Sequence, residues 1–173
     1  MTTEPRFTFR ALTPEDLPLV AAWRRKPHVA AWWGGPPTDE EVRDDLLPDF
    51  GSEVLWRFIA ELDGAPVGLV QAYDVMRCDP AWWRDETDPG ARGIDLFLGE
   101  EALLGRGLGA RMIAAFVRSL FDGDPHVTKV QADPSPSNVR SIRAFERAGF
   151  RRVAEIVTPD GPALLMVIRR DQR

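Results

Sequence analysis

Apolar and polar side chains alternate over Arg6–Leu12, with Phe7, Phe9 and Ala11 on one side, which predicts a first strand. Thr13-Pro14-Glu15-Asp16 follows as a helix start, with Thr13 as N-cap, Pro14 at the first helical position and Asp16 closing the cap. The helix is expected to run to about Arg25 and stop before Pro27. A stiff loop with two Trp spans 30–37, and Thr38 opens a second helix ending near Pro48. Val54–Leu62 and Pro66–Tyr73 flank Asp63-Gly64, a strong hairpin signal. A long loop rich in Asp, Pro and Trp fills 74–92, and Gly93–Leu98 reads as a strand. Over Gly107–Phe121 the period lengthens to that of a helix, with a stripe at Leu108, Met112, Ile113, Phe116, Val117 and Leu120. Thr128–Ala132 is a short strand. Asn138–Ala148 is a helix capped by Ser137 or Asn138 and closed by Gly149. Phe150–Thr158 and Ala163–Arg169 form two last strands around a Pro-Asp-Gly-Pro turn.

The order β-α-α-β-β-β-α-β-α-β-β joins antiparallel hairpins in front to β-α-β crossovers behind. It predicts an α/β protein of the α+β kind, with a mixed sheet and helices on both faces. At 173 residues, without repeat or linker, the expectation is one domain over 1–173. Hydrophobic residues at 44% and charged residues at 28% are an ordinary globular balance. With Cys78 alone there is no disulfide scaffold, and no apolar run suits a membrane span. The segment MTTEPRFTFRAL lacks the pattern of a signal peptide. A cytoplasmic protein with neither nucleic-acid nor membrane partner is expected.

The net charge of −5 is unevenly spread. Residues 39–53 carry seven carboxylates against Arg43, and residues 79–101 carry seven against two Arg. From Arg140 onward there are eight Arg and four acids. Such a division suits a cationic partner on one side and an anionic one on the other; it also suits plain solvated faces. No metal centre is expected, since His28 and His126 are isolated and read as surface residues. A Gly-x-Ser-x-Gly hydrolase elbow is missing as well.

Leu104-Gly105-Arg106-Gly107-Leu108-Gly109 follows a strand and opens a helix, where glycines admit a ligand to the backbone and free N–H groups receive phosphate. Further on stands Asn138-Val139-Arg140-Ser141-Ile142-Arg143-Ala144-Phe145, closed by Gly149-Phe150. Together these motifs resemble the GNAT superfamily of acetyl-CoA-dependent N-acetyltransferases. Its pyrophosphate loop reads Gln/Arg-x-x-Gly-x-Gly/Ala and its later helix Asn-x-x-(Ala/Ser)-x-x-x-Tyr-x-x-x-Gly-Phe. Leu104 replaces the usual Gln or Arg, and Phe145 the usual Tyr. The blocks Trp32-Trp33-Gly34-Gly35, Trp82-Trp83, Glu86-Thr87-Asp88-Pro89-Gly90, Arg92-Gly93-Ile94-Asp95, Thr128-Lys129-Val130-Gln131, Asp133-Pro134-Ser135-Pro136-Ser137-Asn138 and Thr158-Pro159-Asp160-Gly161-Pro162-Ala163 narrow the likeness to the aminoglycoside 6′-N-acetyltransferase group. That likeness covers about residues 7–168.

The resemblance implies about seven mostly antiparallel strands with a parallel central pair, and transfer of acetyl from acetyl-CoA to the 6′-amine of an aminoglycoside. It places the proton acceptor at Asp95, which serves as an anchor for the amine at least as much as a base. Backbone of Leu96, Phe97 and Leu98 is expected to hold the pantetheine, with Asn138 on its other side. Arg106, Gly107, Leu108, Gly109 and Ala110 are expected at the pyrophosphate. A polycation calls for carboxylates and flat aromatic faces, so Asp79, Asp133, Asp160, Trp33, Tyr73, Trp82 and Gln71 are the candidate substrate contacts. Asp133 and Asp160 also fit turn chemistry, and Gln71 also fits a solvent-facing strand position. The family's Tyr is thought to protonate the leaving thiolate, which Phe145 cannot do. A siderophore-precursor acetyltransferase, or an aminoglycoside-binding protein of the same fold without catalysis, remains as an alternative. The molecule is expected to be a monomer or homodimer.

Overall fold

The computed structural model describes residues 5–172. Its elements are β1 (Phe7–Ala11), α1 (Leu17–Arg24), α2 (Pro27–Ala30), α3 (Asp39–Leu46), β2 (Leu55–Leu62), β3 (Ala65–Asp74), β4 (Ala91–Leu98), α4 (Leu108–Gly123), β5 (Lys129–Ala132), α5 (Val139–Arg147), β6 (Arg151–Thr158) and β7 (Gly161–Arg169). The strands form one seven-stranded sheet in the order β1-β2-β3-β4-β5-β7-β6. β4 and β5 are its parallel pair, in register from Ala91 opposite Lys129 to Gly93 opposite Gln131. This is the mixed α+β sheet with a central parallel pair that the resemblance implies. Two compact units share β3 and β4: one holds residues up to Gln71 and 96–106, the other 72–95 and 107 onward.

In the first unit, Asp63 and Gly64 turn the β2–β3 hairpin with positive φ of 51° and 83°, as an Asp-Gly pair allows. Thr13 begins a 3-10 turn over Pro14–Asp16 rather than α1 itself. The Asp16 carboxylate accepts from the Thr13 amide at 2.9 Å and takes the Arg10 guanidinium at 2.7 and 2.8 Å. That pairing holds the Asp16 carboxyl below the usual carboxylate range, the Arg10 hydrogen bond leading. Pro27 starts a further short helix, α2, because proline fits a first helical turn. Ala11 is exposed, against expectation, and Phe7 and Phe9 are only partly buried on this edge strand. The core of this unit joins Leu17, Val20, Trp23, Val29, Val42 and Leu46 to Ile59, Leu69 and Phe97.

In the second unit, α4 buries Leu108, Met112, Ile113, Phe116, Val117 and Phe121; Phe121 takes the place expected for Leu120. Arg170 closes this helix, its guanidinium donating to the carbonyls of Phe121 (2.8 Å), Asp124 (2.6 Å) and Val127 (2.7 Å). Asn138 caps α5, its side-chain oxygen accepting from the Ser141 amide at 3.2 Å. Gly149, at φ 102°, ends it. The amides of Gly149 and Phe150 bond back to the carbonyls of Glu146 and Phe145, each at 3.0 Å. These bonds form a Schellman motif, whose usual apolar contact is supplied by Phe145 against Phe150, ring centroids 5.0 Å apart.

Candidate active site

β4 carries the sequence Arg92-Gly93-Ile94-Asp95, and its glycine decides what can lie on the strand. A Cβ at Gly93 would overlap the Tyr73 ring, which therefore rests directly on the backbone there. The buried Trp83 indole donates to the Tyr73 hydroxyl at 3.2 Å, and both belong to a small apolar cluster with Val75 and Ala91. Burial, then the charges of Asp95 and Asp133, drives the Tyr73 hydroxyl well above its ordinary pKa. The phenol thus stays neutral and polar amid carboxylates.

Three acids from three places act together here. Asp95 stands on β4, Asp133 just past β5, and Asp160 in the turn between β6 and β7. Asp133 is pushed up to about 7, first by burial and then by repulsion from Asp95 and Asp160. Two carboxylates near one another cannot both ionise cheaply, so a nearby cation is favoured. Asp160 is exposed, and its turn is fixed by Thr158, whose hydroxyl accepts from the Asp160 amide at 3.2 Å. Gln131, opposite Gly93 in the parallel pair, is 1% exposed with neither side-chain amide atom partnered, an expensive arrangement.

The loop before β4 is tied down by the acids of its own motif. Glu86 pairs with Lys129 at 2.6 Å with both side chains largely buried, and Asp88 accepts from the Thr128 hydroxyl at 2.7 Å. Asp79 is exposed and its carboxylate accepts from the Ala81 amide at 2.9 Å, an Asx turn. Trp82 is half-buried against the same apolar cluster. Of the two neighbouring indoles, Trp83 is the one bonded to Tyr73, a difference that sequence spacing does not reveal.

In the first unit, Trp33 is half-buried and meets Phe97 edge-on at 4.9 Å, so part of its ring belongs to the core, while Trp32 is exposed. Gln71 is half-buried and accepts from Arg57 at 3.1 Å. Leu96 is half-buried, and Phe97 and Leu98 are buried. His28 is not the surface residue expected from its isolation: its Nε2 donates to the Leu98 carbonyl at 2.9 Å. His126 is exposed.

Ahead of α4, Gly105 and Gly107 both adopt left-handed φ, 72° and 74°, and Cβ atoms at either would meet nothing within 4 Å. Arg106 between them is exposed, Leu108 is buried, and Gly109 and Ala110 begin the helix half-buried. Two left-handed glycines with open space where a Cβ would stand lead into the helix N-terminus, an arrangement that suits a pyrophosphate. Phe145 is 4% exposed, so the family's tyrosine position is dry here rather than wet. Among the described residues, no group of three His, Cys, Asp or Glu could hold a metal, and no helix is long and apolar enough to cross a membrane.

Comparison with known proteins returns the same chemistry. A model of the GNAT acetyltransferase domain matches residues 13–158. Aminoglycoside N(6′)-acetyltransferase type 1 of Klebsiella pneumoniae is 45% identical over 167 residues, covering 94% of this chain and 83% of that protein. The lysine N-acyltransferase MbtK of Mycolicibacterium paratuberculosis is 26% identical over 152 residues, covering 88% and 68%. A crystal structure of aminoglycoside acetyltransferase AAC(6′)-Ib with coenzyme A and kanamycin superposes with a TM-score of 0.90 at 43% identity, over 96% of each chain. With the left-handed glycine turn before α4 and the acid cluster around Tyr73 already in place, the chain belongs to the GNAT acetyltransferases and, among them, to the aminoglycoside 6′-N-acetyltransferases.

Proposed function

We propose that this protein transfers acetyl from acetyl-CoA to the 6′-amino group of an aminoglycoside and so confers resistance to it. The observation that carries the reading is Asp95 and Asp133 acting on the neutral Tyr73 hydroxyl, with Asp160 acting on Asp133 in turn, in a chain so close to enzymes of that name. Like charges held together at the cost of an elevated pKa favour a bound polyamine.

The acyl donor is a substrate. In our reading the backbone of Leu96, Phe97 and Leu98 holds its pantetheine arm, Asn138 flanks it, and Arg106, Gly107, Leu108, Gly109 and Ala110 receive its pyrophosphate. The amine arrives protonated, passes a proton to Asp95 or to a water beside it, and attacks the thioester carbonyl. The carbon–sulfur bond breaks, coenzyme A leaves as thiolate without an acid at Phe145, and the surplus proton on the new amide nitrogen passes through water to that thiolate or to solvent. Proximity and proton management supply the rate, since the thioester is already activated. Asp79, Asp133 and Asp160 then pair with further ammonium groups, and Trp33, Tyr73, Trp82 and Gln71 line the sugar. We place the enzyme in the cytoplasm, as a monomer or homodimer.

A thiol-release assay with acetyl-CoA, run over kanamycin, ribostamycin and a hydroxylysine-type amine, tests the reading. Turnover on the two aminoglycosides with little on the third is expected. Turnover confined to the hydroxylysine-type amine would move the protein to the branch of the lysine N-acyltransferases. Tight aminoglycoside binding without thiol release would make it a binding protein.

A further inference from the structure

Residues 98–100 leave β4 under unusual constraint, all of it within the first unit. The Trp23 indole occupies the space that a Cβ on Gly99 would need. Its Nε1 donates to Glu100 at 2.8 Å, and the Lys26 ammonium pairs with the other Glu100 oxygen at 2.6 Å. The Gly99 amide donates to the Val67 carbonyl at 2.8 Å. His28, on α2, takes the Leu98 carbonyl at 2.9 Å.

Strand alternation shows what that last bond does. Gly99 donates to Val67 on β3, and Ala91 accepts from Val75, the residue that follows β3. Odd-numbered residues of β4 therefore turn their backbone groups toward β3, and Leu96 and Leu98 turn theirs away. The ladder with β5 covers Ala91–Gly93. The Leu98 carbonyl is thus an outward backbone group at the strand's end, and the imidazole occupies it. The other ring nitrogen, Nδ1, is buried without a partner. An apolar side chain would avoid that cost, so the donor at Nε2 is what the position uses.

We infer that His28 is a positioning residue for the acyl donor: by holding the Leu98 carbonyl it fixes the end of β4 and reserves the Leu96 groups and the Leu98 amide for the thioester arm. The inference rests on the functional reading above, in which this backbone receives pantetheine. A carbonyl left unbonded would let the strand end turn or would capture the arm in the wrong register.

The test is calorimetric titration of coenzyme A into the unaltered chain, His28→Ala and His28→Gln, with melting curves and the two KM values for each. Gln keeps a side-chain N–H donor while losing the imidazole. His28→Ala should weaken coenzyme A binding roughly three- to tenfold, as expected for one lost hydrogen bond. It should raise the KM of acetyl-CoA while the KM of the amine stays put, and Gln should restore most of the loss. Equal binding by a folded His28→Ala, or equal losses in Ala and Gln, overturns the inference. If Ala does not fold, a folded Gln variant with normal coenzyme A binding supports it and one with weakened binding overturns it. Failure of the unaltered chain to bind coenzyme A would instead overturn the donor reading, and the inference with it.

Discussion

Tyr73 lies on Gly93 in one unit as Trp23 lies on Gly99 in the other, each ring resting where a Cβ would stand. The surroundings of the two rings are opposite. Around Trp23, acid meets base: Glu100 receives both the indole and Lys26, and these bonds hold its carboxyl below the ordinary range. Around Tyr73, acid meets acid: Asp133 is driven up to about 7. One region is finished within the protein and serves to hold a strand end still. The other gathers like charges that repel one another, a strain that a cation from outside would relieve. The difference teaches where to look for a substrate: at like charges gathered on a rigid strand, rather than at charge as such.

The hardest blow to this contrast is Asp95→Asn. If the amine's proton leaves through this carboxylate, turnover at saturating substrate should drop about a hundredfold or more, with coenzyme A binding intact. Full turnover in that variant would remove Asp95 from the chemistry. Next comes Gly93→Ala, which should expel the Tyr73 ring and raise the amine's KM roughly tenfold or more. Gly99→Ala should disturb Trp23 instead and act on the acetyl-CoA KM. If both alanines affect the same substrate, the two rings do not serve separate ends of the strand.

A smaller effect is expected from pH. In the folded protein Asp133 keeps its proton up to about pH 7, whereas in the unfolded chain it ionises near 4. Its ionisation therefore costs stability as pH rises through that interval, and Asp133→Asn should raise the melting temperature at pH 8 but not at pH 4. Asp16 has the opposite sign: its folded pKa is depressed, so its contribution is present above the ordinary carboxylate value and fades as pH falls through the folded one. A bound ammonium should expel the Asp133 proton, so the amine's KM should fall as pH rises through 7 in the unaltered chain and not in Asp133→Asn. A pH-independent KM in the unaltered chain would break the link. Smallest of all is Phe145→Tyr. Because this side chain is buried against Phe150, the added hydroxyl should lower stability by about 1 kcal/mol unless it finds a partner. Single-turnover rates should be equal to or above those of the parent, and a slower chemical step would show that no acid is wanted there.

Sequence alone determined all seven strands and every helix but the short α2, though β4 begins two residues earlier than expected, and with them the hairpin at Asp63-Gly64, the cap at Asn138, the glycine turn before α4 and the family, because each depends on residues close along the chain. It also singled out the candidate acids, with Asp95 among them. It did not show that Trp83 rather than Trp82 bonds Tyr73, that Glu86 and Asp88 secure a loop, or that Phe145 serves the closure of α5. His28 looked like a lone surface histidine because its partner is a backbone carbonyl seventy residues on, which carries no mark in the sequence. The charge state of Asp133 was equally hidden, for it depends on burial and on acids from β4 and the β6–β7 turn. Local preference sets turns and caps, but the space over Gly93 and the field at Asp133 exist only once distant strands have paired.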